Sequence, residues 1–266
     1  MLLTNMTDIL AISVVGGLLS LDNVAVFQVM LSQPLIAATL IGLLLDNPQL
    51  GLITGALLQL LWTSYVPAGA VVPPDNSILA CICSGTAILG LHFWSPAVAV
   101  LFSLILVVMF APATVWADIW VRQLNNQLAL SADISVLQGH LSAVTVKHLS
   151  GILIFFLKGF TLILIGTTLI LLLEKGLLYL STQISFLTSP GFVRFAGVFN
   201  SLFLTLGVGS ALHLLKVPGG LSSFFLAFFI CLFLVEGLKL PPEMGLVVAI
   251  GVPLLKIRRT WKGKQQ

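Results

Sequence analysis

Positive charge is missing from nearly half of this chain, since no lysine or arginine precedes Arg122. The 266-residue sequence is 58% hydrophobic and 8% charged, whereas soluble domains carry roughly 25% charged residues. Several windows of about 18 residues contain almost no charge, and this is the length that crosses a bilayer as a helix. The alternating pattern of a membrane barrel is absent. Because only a helix satisfies its own backbone inside lipid, we expect an all-α, polytopic integral membrane protein.

Several apolar segments are short and are interrupted by polar residues, glycine and proline. Asp22-Asn23 and Asp46-Asn47-Pro48 are two such interruptions. Broken or re-entrant helices have this pattern where they face protein or a water-filled cavity. We therefore expect about 8–10 transmembrane or re-entrant helices, with broken helices at the substrate site. The spacing Gly51-x-x-x-Gly55 further predicts that two helices approach closely.

The chain is predicted to be a single membrane-embedded domain over residues 1–266. A polar amphipathic connection at 118–149 separates a motif-bearing hydrophobic half, 1–117, from a second hydrophobic half, 150–257. The remaining residues, 258–266, form a basic tail. Most of the net charge of +3 comes from this end of the chain. The pattern indicates a topology anchor that can also touch membrane lipid, and nothing indicates a nucleic-acid partner.

The stretch "VPAGAVVPPDNS" at 66–77 lies between two apolar blocks. Pro73 and Pro74 remove two backbone donors and hold the chain extended, so that a helix can begin directly after them. Asp75, Asn76 or Ser77 is then its N-cap. Alternatively, the acid and the helix N-terminus form part of a sugar or ion site inside the protein. The two interpretations are compatible.

Gln59 and Trp62 lie three residues apart, so they share one face of a helix. A glutamine amide in an apolar helix needs a partner, and its donors and acceptor suit sugar hydroxyls. An indole ring offers a flat platform for a sugar, although tryptophan is also common at the lipid interface. Both interpretations stay open.

Isolated charges occur in or near the later apolar blocks, and Lys158 and Arg194 are the best functional candidates among them because they lie furthest from turns. Cys81 and Cys83 are expected to be small buried hydrophobic residues. The histidines lack metal spacing, and there is no nucleophile or phosphate-loop motif. We expect no catalytic residue, no metal ligand and no cofactor.

Residues from Leu21 to about Ala80 carry a family resemblance, in the run "FQVMLSQPLIAATLIGLLLDNPQLGLITGALLQLLWTSYVPAGAVVPPDN". This run resembles the membrane subunit IIC of the mannose/fructose/sorbose family of bacterial phosphoenolpyruvate-dependent phosphotransferase systems. That family has a block like "FQ…LSRPLVAGTLIGLLLGDP" followed by "GLxxGAxLELxWLGxxPVGAxxPPD". The prolines, glycines and polar residues recur at matching spacing.

The resemblance implies a sugar-binding role for a set of polar and aromatic side chains. These are Gln28, Gln59, Trp62, Asp75 and Asn76. Three positions depart from the family pattern: Gln59 replaces an acid, Gln33 replaces an arginine, and Asn47 occupies the place of another acid. Amides still bind hydroxyls, but the charge pattern differs.

The resemblance also implies a function and partners. A IIC subunit is a non-catalytic sugar permease that translocates a hexose across the inner membrane. It pairs with the membrane subunit IID in an oligomer of IIC–IID heterodimers, while cytoplasmic IIA and IIB subunits carry out phosphoryl transfer. Two alternatives are a regulatory or sensor membrane subunit that does not transport and an unrelated secondary transporter.

The C-terminus is predicted to be cytoplasmic, because five of the twelve basic residues lie in "KIRRTWKGKQQ" and positive charge favours the cytoplasmic side. A green fluorescent protein fused after Gln266 should fluoresce, and an alkaline phosphatase fused at the same place should be inactive. The reverse pattern would show that this end of the chain is outside.

Overall fold

The structure is a computed structural model that describes residues 2–26, 28–62, 72–183 and 185–214. Every regular element in these ranges is a helix, which confirms the predicted all-α class. The α-helices are α1 (Leu2–Val24), α2 (Pro34–Leu44), α3 (Pro48–Leu61), α4 (Asn76–Gly90), α5 (Pro96–Leu137), α6 (Ser142–Gln183) and α7 (Pro190–Leu214), and a 3-10 helix (Ser185–Thr188) precedes α7. The tail 258–266 and residues 63–71 lie outside the described residues, so the orientation of the C-terminus stays a prediction.

Helix lengths separate two groups of apolar helices. Within the described residues, three stretches are long and apolar enough to cross a membrane: Met6–Val24, Pro96–Leu137 and Ser142–Ser181. In contrast, α2, α3 and α4 have 11, 14 and 15 residues. At 1.5 Å per residue they rise about 17–23 Å, less than the roughly 30 Å of a hydrocarbon core. Helices α2 and α3, separated at Asp46-Asn47, lie in a segment that the sequence predicted to be broken.

Helix α4 is the centre of the packing. All of its residues from Ser77 to Gly90 are buried, as expected for a helix that is apolar on every side. It packs against α1, α2, α5 and α6. Many of its side chains are small, and Ser84 donates a hydrogen bond to the carbonyl of Ala38 in α2 at 2.9 Å. Cys81 and Cys83 are fully buried, as predicted. The position of α4 is therefore fixed by its packing against these four helices.

Helices α5 and α6 form a long antiparallel hairpin. Each has 42 residues and rises about 63 Å, so both extend beyond a hydrocarbon core of roughly 30 Å. Gly139, with φ +83°, ends α5. The N–H of Gly139 bonds to the carbonyl of Val136, and the N–H of His140 bonds to that of Ser135, the pattern of a Schellman cap. The segment 118–149 thus consists of two helix ends and a short turn.

The chain forms two compact units. The first comprises residues 1–59 and 66–200, and the second comprises 60–65 and 201–266. The first unit contains the packing around α4. Of the second, the structure describes 60–62 and 201–214. The predicted single IIC domain, with halves ending at 117 and beginning at 150, stays a prediction.

Close backbone approach joins α2 to α3. A Cβ atom added to Gly51 would lie 2.5 Å from the carbonyl oxygen of Ala38 and 2.9 Å from the Cα of Gly42. One added to Gly55 would lie 2.8 Å from the carbonyl oxygen of Pro34. Glycine is therefore required at both positions, and the close approach predicted from their spacing is confirmed.

Replacement of Gly51 tests this contact. Gly51→Ala should lower the thermal unfolding temperature of the purified protein, because the methyl group meets backbone atoms that cannot rotate away; overpacking typically costs about 1–3 kcal/mol. Gly176→Ala is the matched control, since a Cβ there meets nothing within 4 Å. That control should be neutral or more stable by up to about 1 kcal/mol. Equal unfolding temperatures for the two variants would contradict the packing.

Candidate functional site

Asp75 is the N-cap of α4, one of the three capping residues that the sequence left open. Its backbone is extended, with φ −77° and ψ 95°. Its Oδ1 accepts a hydrogen bond from the Ser77 hydroxyl at 2.7 Å and a long one from the Ile78 N–H at 3.5 Å. Its own N–H donates to Thr114 Oγ1 of α5 at 3.1 Å. The residue is therefore an N-cap that is also tied to a neighbouring helix.

The other carboxylate oxygen of Asp75 accepts from Lys158, at the middle of α6. Lys158 Nζ lies 2.9 Å from Asp75 Oδ2 and 3.1 Å from Asp118 Oδ1. The side chains of Lys158 and Asp75 are only 4% and 5% exposed. Asp118 Oδ2 then accepts from Arg122 Nε at 2.7 Å. We call Asp75, Lys158, Asp118 and Arg122 the charge network.

The charge network is electrically neutral, with two acids and two bases. A buried ion is expensive unless it is paired and its remaining hydrogen bonds are satisfied. Lys158 meets this condition through two carboxylates, and Asp118 meets it through a second cation. Arg122 is about half exposed and leads the network to the surface. The network therefore ties α4, α5 and α6 together at one level.

Sequence reasoning found only part of the charge network. Lys158 was singled out as an isolated charge and Asp75 as a cap or site residue. Asp118 and Arg122 were missed, because they fall in the segment interpreted as a connection; their i,i+4 spacing was the available signal. The other isolated cation, Arg194, lies exposed on α7, so it does not belong to this buried site.

Gln28 lies in the loop between α1 and α2 and is exposed. The loop is held by Asp22, whose carboxylate accepts from the N–H groups of Val29 at 2.8 Å and Ser32 at 3.0 Å. Gln28 and Met30 have left-handed backbones, with φ 55° and 70°, a conformation that non-glycine residues rarely adopt. Among the described contacts, no hydrogen bond joins Gln28 to Asp75 or Asn76.

Gln59 contacts another position that departs from the family pattern. Its Nε2 donates to Gln33 Oε1 at 2.8 Å, and its Oε1 accepts from the N–H of Leu35 at 3.4 Å. The side chain thus joins α3 to the beginning of α2. Where the family has an acid and an arginine, this chain has two amides that meet each other. We call Gln33 and Gln59 the amide pair.

Asn76 and Trp62 complete the predicted set. The Oδ1 atom of Asn76 is buried, and no hydrogen-bond partner for it exists in the part of the chain that the structure describes. Trp62 follows α3, belongs to the second unit and is buried. The binding role of all five predicted residues stays a prediction. The described residues contain no group of three or more His, Cys, Asp or Glu side chains that could hold a metal ion.

Another buried acid, Glu174 of α6, lies at the other end of α4. Glu174 is fully buried, and its Oε1 accepts from Ser103 Oγ at 3.1 Å. Its Oε2 has no partner within the described ranges, and a Cβ added to Gly90 would lie 2.7 Å from it. In the sequence, Glu174 is one of several isolated charges, and no pattern there distinguished it from the others.

Replacement of Lys158 tests the charge network. Lys158→Met should destabilise the protein by about 3–5 kcal/mol, because it leaves the Asp75 carboxylate buried without a counter-charge. The additional change Asp75→Asn should recover part of this loss, since it removes the unpaired charge. Lys175→Met is the matched control, because its ammonium lies 5.4 Å from the Phe93 ring and makes no ion pair within the described residues. Thermal unfolding of all variants is the measurement, and strictly additive effects of the two changes would contradict the pairing.

Comparison with known proteins covers both sequence and fold. A match of 28% identity over 120 residues relates the chain to the mannose-specific EIIC components of Escherichia coli (strain K12) and Shigella flexneri. The match covers 45% of this chain and 43% of each relative, so it spans less than half of their length.

Two solved structures share the fold at 19% sequence identity. One, described only as a membrane protein, has a TM-score of 0.60 and covers 90% of this chain and 97% of its own. The other is a cryo-electron microscopy structure of the mannose transporter ManYZ with microcin E492; its TM-score is 0.51, and the coverage is 96% of this chain and 95% of that one. Both support a polytopic helical membrane protein.

The family pattern described as the sorbose-specific IIC component of phosphotransferase systems matches residues 6–254. The match includes the broken helices, the amide pair and the charge network, and extends well beyond the short run that carries the resemblance. The chain therefore belongs to the family of sorbose-specific IIC components of the phosphotransferase system.

Proposed function

We propose that this chain is the sugar permease subunit of a mannose-type phosphotransferase system. It binds a hexose and translocates it across the bacterial inner membrane, and a partner subunit phosphorylates the sugar. The family match over residues 6–254 is the observation that carries this proposal. The mannose-specific relatives favour a hexose as the substrate. Neither alternative from the sequence is favoured by the family match or by the fold.

The partners follow from the same relatives. The second membrane subunit, IID, pairs with this chain, a proposal supported by the fold shared with the ManYZ transporter. Cytoplasmic IIA and IIB subunits supply the phosphoryl group, so this chain itself performs no phosphoryl transfer. Heterodimers of IIC and IID associate into a larger oligomer. The C-terminal tail faces the cytoplasm in this arrangement.

The start of α4 is the proposed centre of sugar recognition. Both oxygens of the Asp75 carboxylate already accept hydrogen bonds, so Asp75 fixes the geometry of the helix start and presents limited acceptor capacity to a ligand. Asn76 is the next residue, and its buried Oδ1 needs a donor. A sugar hydroxyl is such a donor. Lys158 holds the start of α4 in place through its ion pair with Asp75 and is not itself used to bind the sugar.

Gln28 and Gln59 of the first unit are proposed to complete the site, and Trp62 of the second unit stays a predicted sugar-binding residue. The amide pair holds Gln59 against the beginning of α2, and a neutral amide replaces the acid of the family pattern there. An amide both donates and accepts, whereas a carboxylate only accepts. We expect this difference to affect which hydroxyl configuration the site prefers.

The overall proposal is tested with vesicles that contain this chain together with IID, supplied with IIA and IIB. Labelled hexoses should accumulate as sugar phosphates only when phosphoenolpyruvate and the phosphate-relay proteins are present. Vesicles that lack this chain are the control. Normal assembly with IID but no uptake of any hexose would favour the regulatory subunit instead.

Asn76→Ala should weaken uptake without weakening the fold. Removal of the Asn76 amide breaks no hydrogen bond in the described structure. It leaves a buried sugar hydroxyl without its acceptor, which costs about 1–3 kcal/mol. The sugar concentration for half-maximal uptake should therefore rise roughly 5- to 150-fold. Asn47→Ala is the control, since Asn47 Oδ1 accepts from the Leu50 N–H at the start of α3. That change should reduce stability by about 1 kcal/mol and leave half-saturation unchanged. Unaltered uptake by Asn76→Ala would remove Asn76 from the site.

A further inference from the structure

A cavity of about 360 Å³ lies between the end of α1, the C-terminal part of α5 and the N-terminal part of α6. Its volume is within the range of roughly 300–1,000 Å³ that is usual for small-molecule sites. Most of its walls are apolar side chains, and its polar side chains are those of Asn125, Lys147 and His148. None of the described residues that line it is acidic. The cavity is therefore apolar with a local excess of basic groups.

Asn125 lines this cavity and carries an acceptor without a described partner. Its Oδ1 is buried and has no hydrogen-bond partner among the residues that the structure describes. Gly151, another lining residue, lies opposite, and a Cβ atom there would be 3.0 Å from the same oxygen. The amide fits because α6 has a glycine at this position. An amide so placed accepts from a ligand hydroxyl and donates to a ligand oxygen.

Lys147 supplies positive charge and His148 supplies a ring N–H donor, without an acidic side chain among the described lining residues. In the described ranges neither takes part in an ion pair. The first turn of α6, five residues before Lys147, contains no acidic residue, and the dipole of a helix makes its N-terminal end positive. The region therefore attracts an anion, and an ammonium beside an imidazole suits the oxygens of a phosphate group.

We propose that this cavity binds a phosphate ester. The phosphate contacts Lys147 and His148, the Asn125 amide bonds to the ester or to a neighbouring hydroxyl, and the organic part packs on the apolar walls. Val24, the last residue of α1, also lines the cavity. Because α1 is long enough to cross the membrane, its end marks the level where lipid head groups lie. The ester is an anionic phospholipid or a soluble hexose phosphate.

The proposed site is next to the charge network but distinct from it. Phe155 lines the cavity, and its ring lies 5.4 Å from Lys158 Nζ. Phe155 is thus the described residue that contacts both the cavity and the Lys158 ammonium. Binding here is measured directly, without transport, so its outcome is independent of the proposed permease function.

The experiment uses the purified, delipidated full chain in detergent. Calorimetric titration with glucose 6-phosphate, with glucose as the neutral comparison, probes the soluble ester. Native mass spectrometry with phosphatidylglycerol, with phosphatidylcholine as the comparison, probes the lipid. The test variant is K147Q/H148Q, and the matched control is K175Q, which removes a positive charge from α6 outside the cavity. Unfolding temperatures verify that each variant is folded.

The wild-type chain should bind one equivalent of one ester, and K147Q/H148Q should bind it at least tenfold more weakly, equivalent to about 1.4 kcal/mol. K175Q should bind like the wild type. Binding of phosphatidylglycerol alone assigns the lipid, and binding of glucose 6-phosphate assigns the soluble ester. If K147Q/H148Q is not folded, N125A replaces it with the same expected loss, since it removes no described hydrogen bond. Absence of binding to either ester by the wild type, or equal binding by the folded test variant, overturns the proposal.

Discussion

The Lys158 ammonium, shared between Asp75 and Asp118, is the interaction on which the rest of the first unit depends. It lies in an interior that is otherwise almost without charge, where an unpaired ion would be very costly. The two acids come from the start of α4 and from α5, and the base comes from α6. Because removal of Lys158 would leave the buried Asp75 carboxylate without a counter-charge, the ion pairs favour one relative register of the three helices. The ion pair between Lys158 and the N-cap residue Asp75 thus fixes the start of the buried helix α4.

Small residues form close helix–helix contacts, both between α4 and its neighbours and between α2 and α3. Gly16 in α1 and Gly166 in α6 lie against Cys81 and Ile82 of α4, and α2 lies against α3 through glycines. Such close approaches let helices associate inside lipid, where the hydrophobic effect no longer drives one helix against another. The short helices that line the proposed sugar site are therefore rigidly supported although they do not span a bilayer. This support is what allows polar side chains to be held in an apolar setting.

The polar groups of the first unit divide into satisfied and unsatisfied ones. The members of the charge network and the amide pair have hydrogen-bond partners, and they determine geometry. The buried oxygens of Asn76 and Asn125 have no partner in the described residues; Asn76 follows Asp75 of the charge network, and Asn125 lines the cavity. Unsatisfied buried groups beside rigid ones are the usual arrangement of binding sites. The two asparagines therefore belong to two different proposed ligands.

The sequence by itself determined the class of fold, because a chain with 8% charged residues and long uncharged windows can only be helical in a membrane. It also predicted broken helices and a helix start after Pro74 with Asp75, Asn76 or Ser77 as its N-cap, since proline and a capping side chain act locally on the backbone; the structure selects Asp75. The pairing of Gln33 with Gln59, and of Lys158 with Asp75 and Asp118, was decided only by the tertiary structure. These partners are 26, 83 and 40 residues apart, so they meet only when the helices pack, and no local pattern in the chain specifies which helices become neighbours.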